Sequence, residues 1–205
     1  MTLKPNRIVV YVLLASLILI FLCVGLVYLV LKYTEGFNVV TKSMEPTILY
    51  GDTVLSKKIN AIKPGLKRGE LIVFMIDEII DKTGQTETNI YVRRIVGLPG
   101  EKIEVKHQKG IFVNNKELNE TYIQDAMSNL CDETYDYCGP LEVPENHYYV
   151  LGDNREMATD SRKIGPVGVE LIRSKLVSVS WPASRSRVFQ IPDYSSRIEN
   201  KNDQN

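Results

Sequence analysis

Ile90 to Gly100 reads IYVRRIVGLPG, a run rich in β-branched and aromatic residues that ends on a Pro-Gly pair. Such residues suit a pleated strand and Pro99-Gly100 stops it, so a strand is predicted over Ile90–Val96. The same grammar recurs on both sides. Asn38–Thr41, Thr53–Ser56, Leu71–Ile76, Lys102–Val105, Ile111–Val113, Tyr148–Leu151 and Leu176–Trp181 also read as strands. Their separators, among them Tyr50-Gly51-Asp52, Pro64-Gly65, Arg68-Gly69, Asn114-Asn115 and Gly152-Asp153-Asn154, have turn chemistry. Polar Asp77–Asn89 reads as a loop, acidic residues 116–144 as an irregular excursion from the core, and 195–205 as a disordered polar tail. With no helical period sustained after the first thirty or so residues, the exported part is predicted to be mainly β.

Ahead of these strands, Ile8–Leu31 is 24 residues without a charge. As a helix it would reach roughly 36 Å, more than the hydrocarbon core of a bilayer. It lacks the short apolar region and small-residue exit of a cleavable signal, and it has no polar stripe to face water, so a single membrane-spanning helix is predicted. Lys4 and Arg7 precede it, against Lys32 and Lys42 behind, which places residues 1–7 in the cytoplasm and 32–194 outside it. In that compartment Cys131 and Cys138 can pair or stay as two free thiols, and Cys23 lies within the span.

Among 205 residues, 25 basic side chains balance 25 acidic ones. No global field favours nucleic acid as a partner. The two histidines lie far apart and the cysteines lack zinc-site spacing, so neither a metal nor another cofactor is expected.

Ser43 follows the predicted membrane exit closely, and Pro46 fixes a turn beside it. Ser43-Met44-Glu45-Pro46-Thr47 resembles the SMxPT box of type I signal peptidases, and further segments match that family in order. These are Arg68-Gly69-Glu70-Leu71-Ile72-Val73-Phe74, Tyr91–Gly100, Gly152-Asp153-Asn154-Arg155 with Asp160-Ser161-Arg162 and Gly165, and Ser174-Lys175. The resemblance implies an N-terminal transmembrane helix followed by an antiparallel β-sheet domain of the signal peptidase fold. It also implies a membrane-bound serine endopeptidase that removes signal peptides from exported proteins, its partners being those precursors and membrane lipid. In that family a serine works with a neutral lysine. Here Ser43 stands at the nucleophile, with its own backbone N–H and the Thr41 hydroxyl as oxyanion donors. Asp153, Asn154, Arg155, Asp160 and Arg162 take supporting positions, while Gly97, Pro99 and Gly100 shape a turn.

The sequence departs from the family at the base. Counting back from Gly97-Leu98-Pro99-Gly100 puts Arg93 at the lysine position, and a guanidinium stays protonated and accepts no proton. Ala158 stands where a supporting serine is common, and Met157 where an asparagine is. His147, His107 and Lys42 are the alternative bases, each poorly placed by its sequence context. Two functions follow: a peptidase with an altered route for the proton, or an impaired relative that binds exported precursors as an assembly chaperone.

Overall fold

The computed structural model describes residues 7–59, 65–79, 84, 86–107, 109–123, 131 and 135–194. The polar tail at 195–205, Lys4, Pro64, Lys82-Thr83 and part of the acidic stretch lie outside the described residues. The chain divides into two compact units, Met1–Glu35 and Gly36–Asn205. The first is helix α1, Arg7–Tyr33, whose side chains are exposed throughout its length. At 27 residues it is long and apolar enough to cross a membrane.

The second unit is built from strands. They are β1 (Thr34–Asn38), β2 (Thr53–Lys58), β3 (Leu71–Ile79), β4 (Thr86–Gly97), β5 (Lys102–Lys106), β6 (Gly110–Val113), β7 (Lys116–Glu117), β8 (Leu141–Glu142), β9 (His147–Leu151), β10 (Val167–Gly168), β11 (Ile172–Trp181) and β12 (Arg187–Val188), with a short α-helix, α2 (Ser161–Ile164), and 3-10 turns at Val169–Leu171 and Ala183–Arg185 among the described residues. The larger sheet runs β1-β2-β11-β3-β4-β9-β10, with β12 on β11. The smaller runs β7-β6-β5-β8. The pairings β2–β11, β11–β3, β3–β4, β4–β9 and β9–β10 are antiparallel.

Alternation along a strand sends successive side chains to opposite faces, and here both faces are buried. On β3, Ile72 and Phe74 join one cluster with Ile95, Val150 and Ile172, while Leu71 and Val73 join another with Met44, Ile48, Val54 and Leu176. A third cluster, Val96, Ile103, Ile111, Tyr149 and Leu151, packs the smaller sheet against the ends of β4 and β9. Gly100 after β4 has φ +76, a conformation that favours glycine, and it closes the Pro-Gly turn.

The strand expected over Leu176–Trp181 begins earlier, at Ile172, and the two-residue β10 and β12 fall outside the expected strands; three further stretches also differ from expectation. The strand expected over Asn38–Thr41 ends at Asn38, and Val39–Thr41 are irregular backbone leading into the Ser43 turn. Within the expected loop Asp77–Asn89, β3 and β4 stay paired as far as Ile79↔Thr86. Asp77, Thr86, Glu87 and Thr88 are exposed on this two-stranded extension, so no buried face demands apolar residues from them. The stretch 116–144 contributes β7, β8 and the buried Val143 to the smaller sheet and its core. Its strands are only two residues long, too short for alternation to reveal. Cys131 and Cys138 form a disulfide.

Candidate active site

Ser43 lies in a turn between β1 and β2 and is nearly buried, at 4% exposure. Backbone bonds hold the turn: Glu45 N–H donates to Lys42 O (3.1 Å) and Ile48 N–H to Met44 O (2.8 Å). Buried Asp52 accepts from Leu49 N–H (3.0 Å) and from Arg185 Nε (2.7 Å), closing its far end. Met44 and Ile48 drop into the core on either side, so the serine rides on a packed support.

The segment after β9 sets the other wall. Asn154 N–H donates to Ser43 O at 3.1 Å. Gly152 has no Cβ for a reason of space: one built there would meet Ala158 Cβ at 2.2 Å and Ser43 O at 2.7 Å. Asp160 caps α2 through Arg162 N–H, grips the Arg162 guanidinium (2.8 Å), and accepts from Gly152 N–H (3.0 Å). Arg162 also donates to Arg155 O (2.6 Å), and Arg155 to Gly152 O (2.9 Å) and the Glu120 carboxylate. Asn154, Arg155, Asp160 and Arg162 are thus linked in one bonded loop that ends on Ser43, and Asp153, in the same loop, turns to Arg94 on β4.

Arg93 and Arg94 sit side by side on β4 and leave it in opposite directions. Arg94 makes a two-pronged pair with Asp153 (2.8 and 2.6 Å) and also donates to Gly69 O. Burial works against its charge, but Asp153 more than compensates and its pKa is raised. Arg93 points at the serine: Nη1 donates to Ser43 Oγ at 2.9 Å. Nε and Nη2 both donate to Thr159 O (2.9 and 2.7 Å), and Nη1 also reaches Val92 O. Desolvation by burial lowers the Arg93 pKa, with Asp160 the first of the charges pulling the other way. Thr41 Oγ1 lies 3.1 Å from Ser43 Oγ, so the expected hydroxyl is in place on irregular backbone.

The other candidate bases stay away. His147 Nδ1 is engaged with Glu145 O (2.9 Å), and His147 opens β9, four residues of which separate it from Gly152, roughly 16 Å of extended chain. His107 lies in the turn after β5, in the smaller sheet. Lys42 is exposed beside buried Ser43.

Ser43, Thr41 and Arg93 form the polar floor of a groove of about 450 Å³ whose walls include Phe37, Ile90 and Met157. An apolar cleft with a few convergent polar groups suits an extended peptide. Sequence reasoning missed Arg94, Glu120, Asp52 and the Thr159 carbonyl. Arg94 stood next to the residue in question, and Glu120 fell in the stretch read as an excursion. Thr159 acts through its backbone, which leaves no mark on side-chain identity.

A family model described as signal peptidase, peptidase S26, matches residues 9–181. Signal peptidase I P of Bacillus subtilis subsp. natto is 34% identical over 142 residues, covering 67% of this chain and 71% of that protein. Signal peptidase IB of Staphylococcus aureus is 32% identical over 162 residues, covering 72% and 78%. A probable signal peptidase I-2 of Synechocystis is 33% identical over 151 residues, covering 74% and 65%. Ordered motifs, mainly β architecture and these matches agree: the chain is a membrane-anchored member of the signal peptidase family, peptidase S26.

Proposed function

We propose that this chain acts on exported precursors as a signal peptidase I-type serine endopeptidase whose acylation is slow, because an arginine holds its serine. One observation carries the reading: the bond from Arg93 Nη1 to Ser43 Oγ at 2.9 Å. A groove and a serine at the family's nucleophile position support the reading, but the group on the hydroxyl is a donor that accepts no proton.

The chemistry follows from that bond. Ser43 Oγ attacks the scissile carbonyl while its proton leaves, and with Arg93 already protonated the proton goes to water or hydroxide. Thr41 relays a proton but does not retain it. Arg93 offsets part of the loss, since a buried guanidinium next to Oγ stabilises a developing alkoxide. The Ser43 N–H and the Thr41 hydroxyl donate to the tetrahedral oxyanion. General-base assistance is worth about 10² to 10⁴ in rate, which sets the scale of the handicap.

The positive charges before the span support a cytoplasmic N-terminus, and the Cys131–Cys138 disulfide supports an oxidising compartment for the strands. The Arg93 bond equally favours a second reading, in which precursors are bound without turnover, as by an assembly chaperone.

Cleavage of a signal-peptide-bearing precursor by the full chain in detergent decides between them. We expect slow cleavage that rises with pH in proportion to hydroxide, no cleavage by Ser43→Ala, and a gain of roughly tenfold or more in Arg93→Lys. Equal inertness of wild type and Ser43→Ala, with precursor still bound, would leave only the second reading.

A further inference from the structure

Among the described residues, the buried charges around Ser43 do not pair off. Four guanidinium groups are almost wholly enclosed: Arg93 at 4% exposure, Arg94 at 2%, Arg155 at 1% and Arg162 at 0%. The enclosed carboxylates are each already taken: Asp153 by Arg94, Glu120 by Arg155, Asp160 by Arg162, and Asp52, at the far end of the serine turn, by the more exposed Arg185. Arg93 is the fourth cation. Among the described residues its hydrogen-bond acceptors are two backbone carbonyls and one hydroxyl, with no carboxylate in contact.

A buried charge without a counter-charge is costly, and hydrogen bonds to neutral acceptors repay only part of the cost. A neutral side chain at position 93 would leave each of these cations with its own carboxylate. The arginine therefore adds one positive charge without a carboxylate in contact at the floor of an open groove. Its geometry is also incomplete. The Nε and Nη2 edge is closed on Thr159 O, and Nη1 on Val92 O and Ser43 Oγ. One Nη2 hydrogen remains without an acceptor among the described residues. Because the group is planar, that hydrogen lies on the terminal edge of the fork, beside the Nη1 that holds Ser43 Oγ, where a carboxylate can accept from it and from the serine hydroxyl.

We propose that the groove takes the free C-terminal carboxylate of a peptide, seated on the terminal edge of Arg93 with Ser43 Oγ and the Thr41 hydroxyl as further donors. The inference deepens the functional reading above, since it names a ligand of the same site. A peptide acid is what hydrolysis leaves on the acyl side, so the product is retained and inhibits the next turnover. An extended peptide lays its last side chains along the apolar walls while its terminus supplies the missing anion. Internal peptide has no such charge.

The test compares two hexapeptides identical in sequence and ending in Ala-Gln-Ala, one a free acid and one a carboxamide. Their binding to the full chain in detergent is read by fluorescence anisotropy. The acid is expected to bind roughly tenfold or more tightly, the scale of a charge-assisted hydrogen-bonded contact. The preference should weaken as pH falls through the α-carboxyl range of about 3.3 to 3.7. Arg93→Gln should bring the acid down to the amide's affinity, and Ser43→Ala should keep most of the preference. Equal affinity for both peptides, or no binding of either, overturns the proposal. So does a preference that survives in an Arg93→Gln protein with an unchanged unfolding transition. If that variant does not fold, the wild-type comparison and Ser43→Ala still decide. Precursor cleavage without acid preference sinks this inference alone, whereas acid preference without Ser43-dependent cleavage sinks only the slow-peptidase reading.

Discussion

Arg93 and Arg94 are the same residue type one position apart, yet their surroundings assign them opposite roles. Arg94 meets a carboxylate with both prongs and is a structural ion pair, with side-chain exposures of 3% and 0% for it and Asp153. Arg93 meets neutral acceptors and the reactive hydroxyl. The pair is tested by Asp153→Ala, which strands a buried guanidinium. We expect a loss of about 3 to 5 kcal/mol, read as a fall in the denaturant midpoint at unchanged slope. A loss under about 1 kcal/mol would show that water replaces the carboxylate. The Gly97–Gly100 motif in the sequence singled out Arg93, but neither Arg94 nor this difference.

Among the elements, the contact between the end of β9 and the Ser43 turn governs the site. The Gly152–Asp160 segment, held by Asp160, Arg155 and Arg162, touches the serine's backbone through Asn154 N–H and leaves no room at Gly152 for a methyl group. Gly152→Ala should therefore cost about 1 to 3 kcal/mol through overpacking. It should also displace Ser43 from Arg93. Thermal unfolding measures the first effect. Reaction of Ser43 with a serine-directed acylating probe measures the second, and unchanged reactivity in a destabilised protein would mean the turn is held without this segment. The glycine was legible as part of a turn, whereas its closeness to Ser43 depends on two segments more than a hundred residues apart.

For the whole molecule, buried Tyr149 and half-buried Tyr122 and Tyr194 set the alkaline limit. Burial is the leading cause of the upward shift in each case. It pushes the Tyr194 pKa up to about 12, and holds Tyr122 and Tyr149 well above the ordinary value of 10, with Glu120 and Asp160 respectively adding to the rise. The sign follows directly. The unfolded chain ionises these phenols near pH 10 and the folded chain does not, so their contribution is complete below about pH 10 and falls as pH rises through 10 to 12. Tyrosinate absorbance of the folded protein at pH 11 should lack these three of the 11 tyrosines, and denaturant should release them. Full ionisation at pH 11 with the fold intact would refute the burial assignment. By itself the sequence determined the apolar span, nearly every long strand, the serine motif and the register that puts arginine at position 93. Those properties reside in local composition, turn chemistry and spacing along the chain. Only the tertiary structure decided what Arg93 touches. Its carbonyl partner lies 66 residues away, the Arg94 carboxylate 59 and the Arg155 carboxylate 35. Those pairings, and the unmatched charge they leave, arise where strand register and loop path bring donors and acceptors within about 3 Å, a condition that no residue type states in advance.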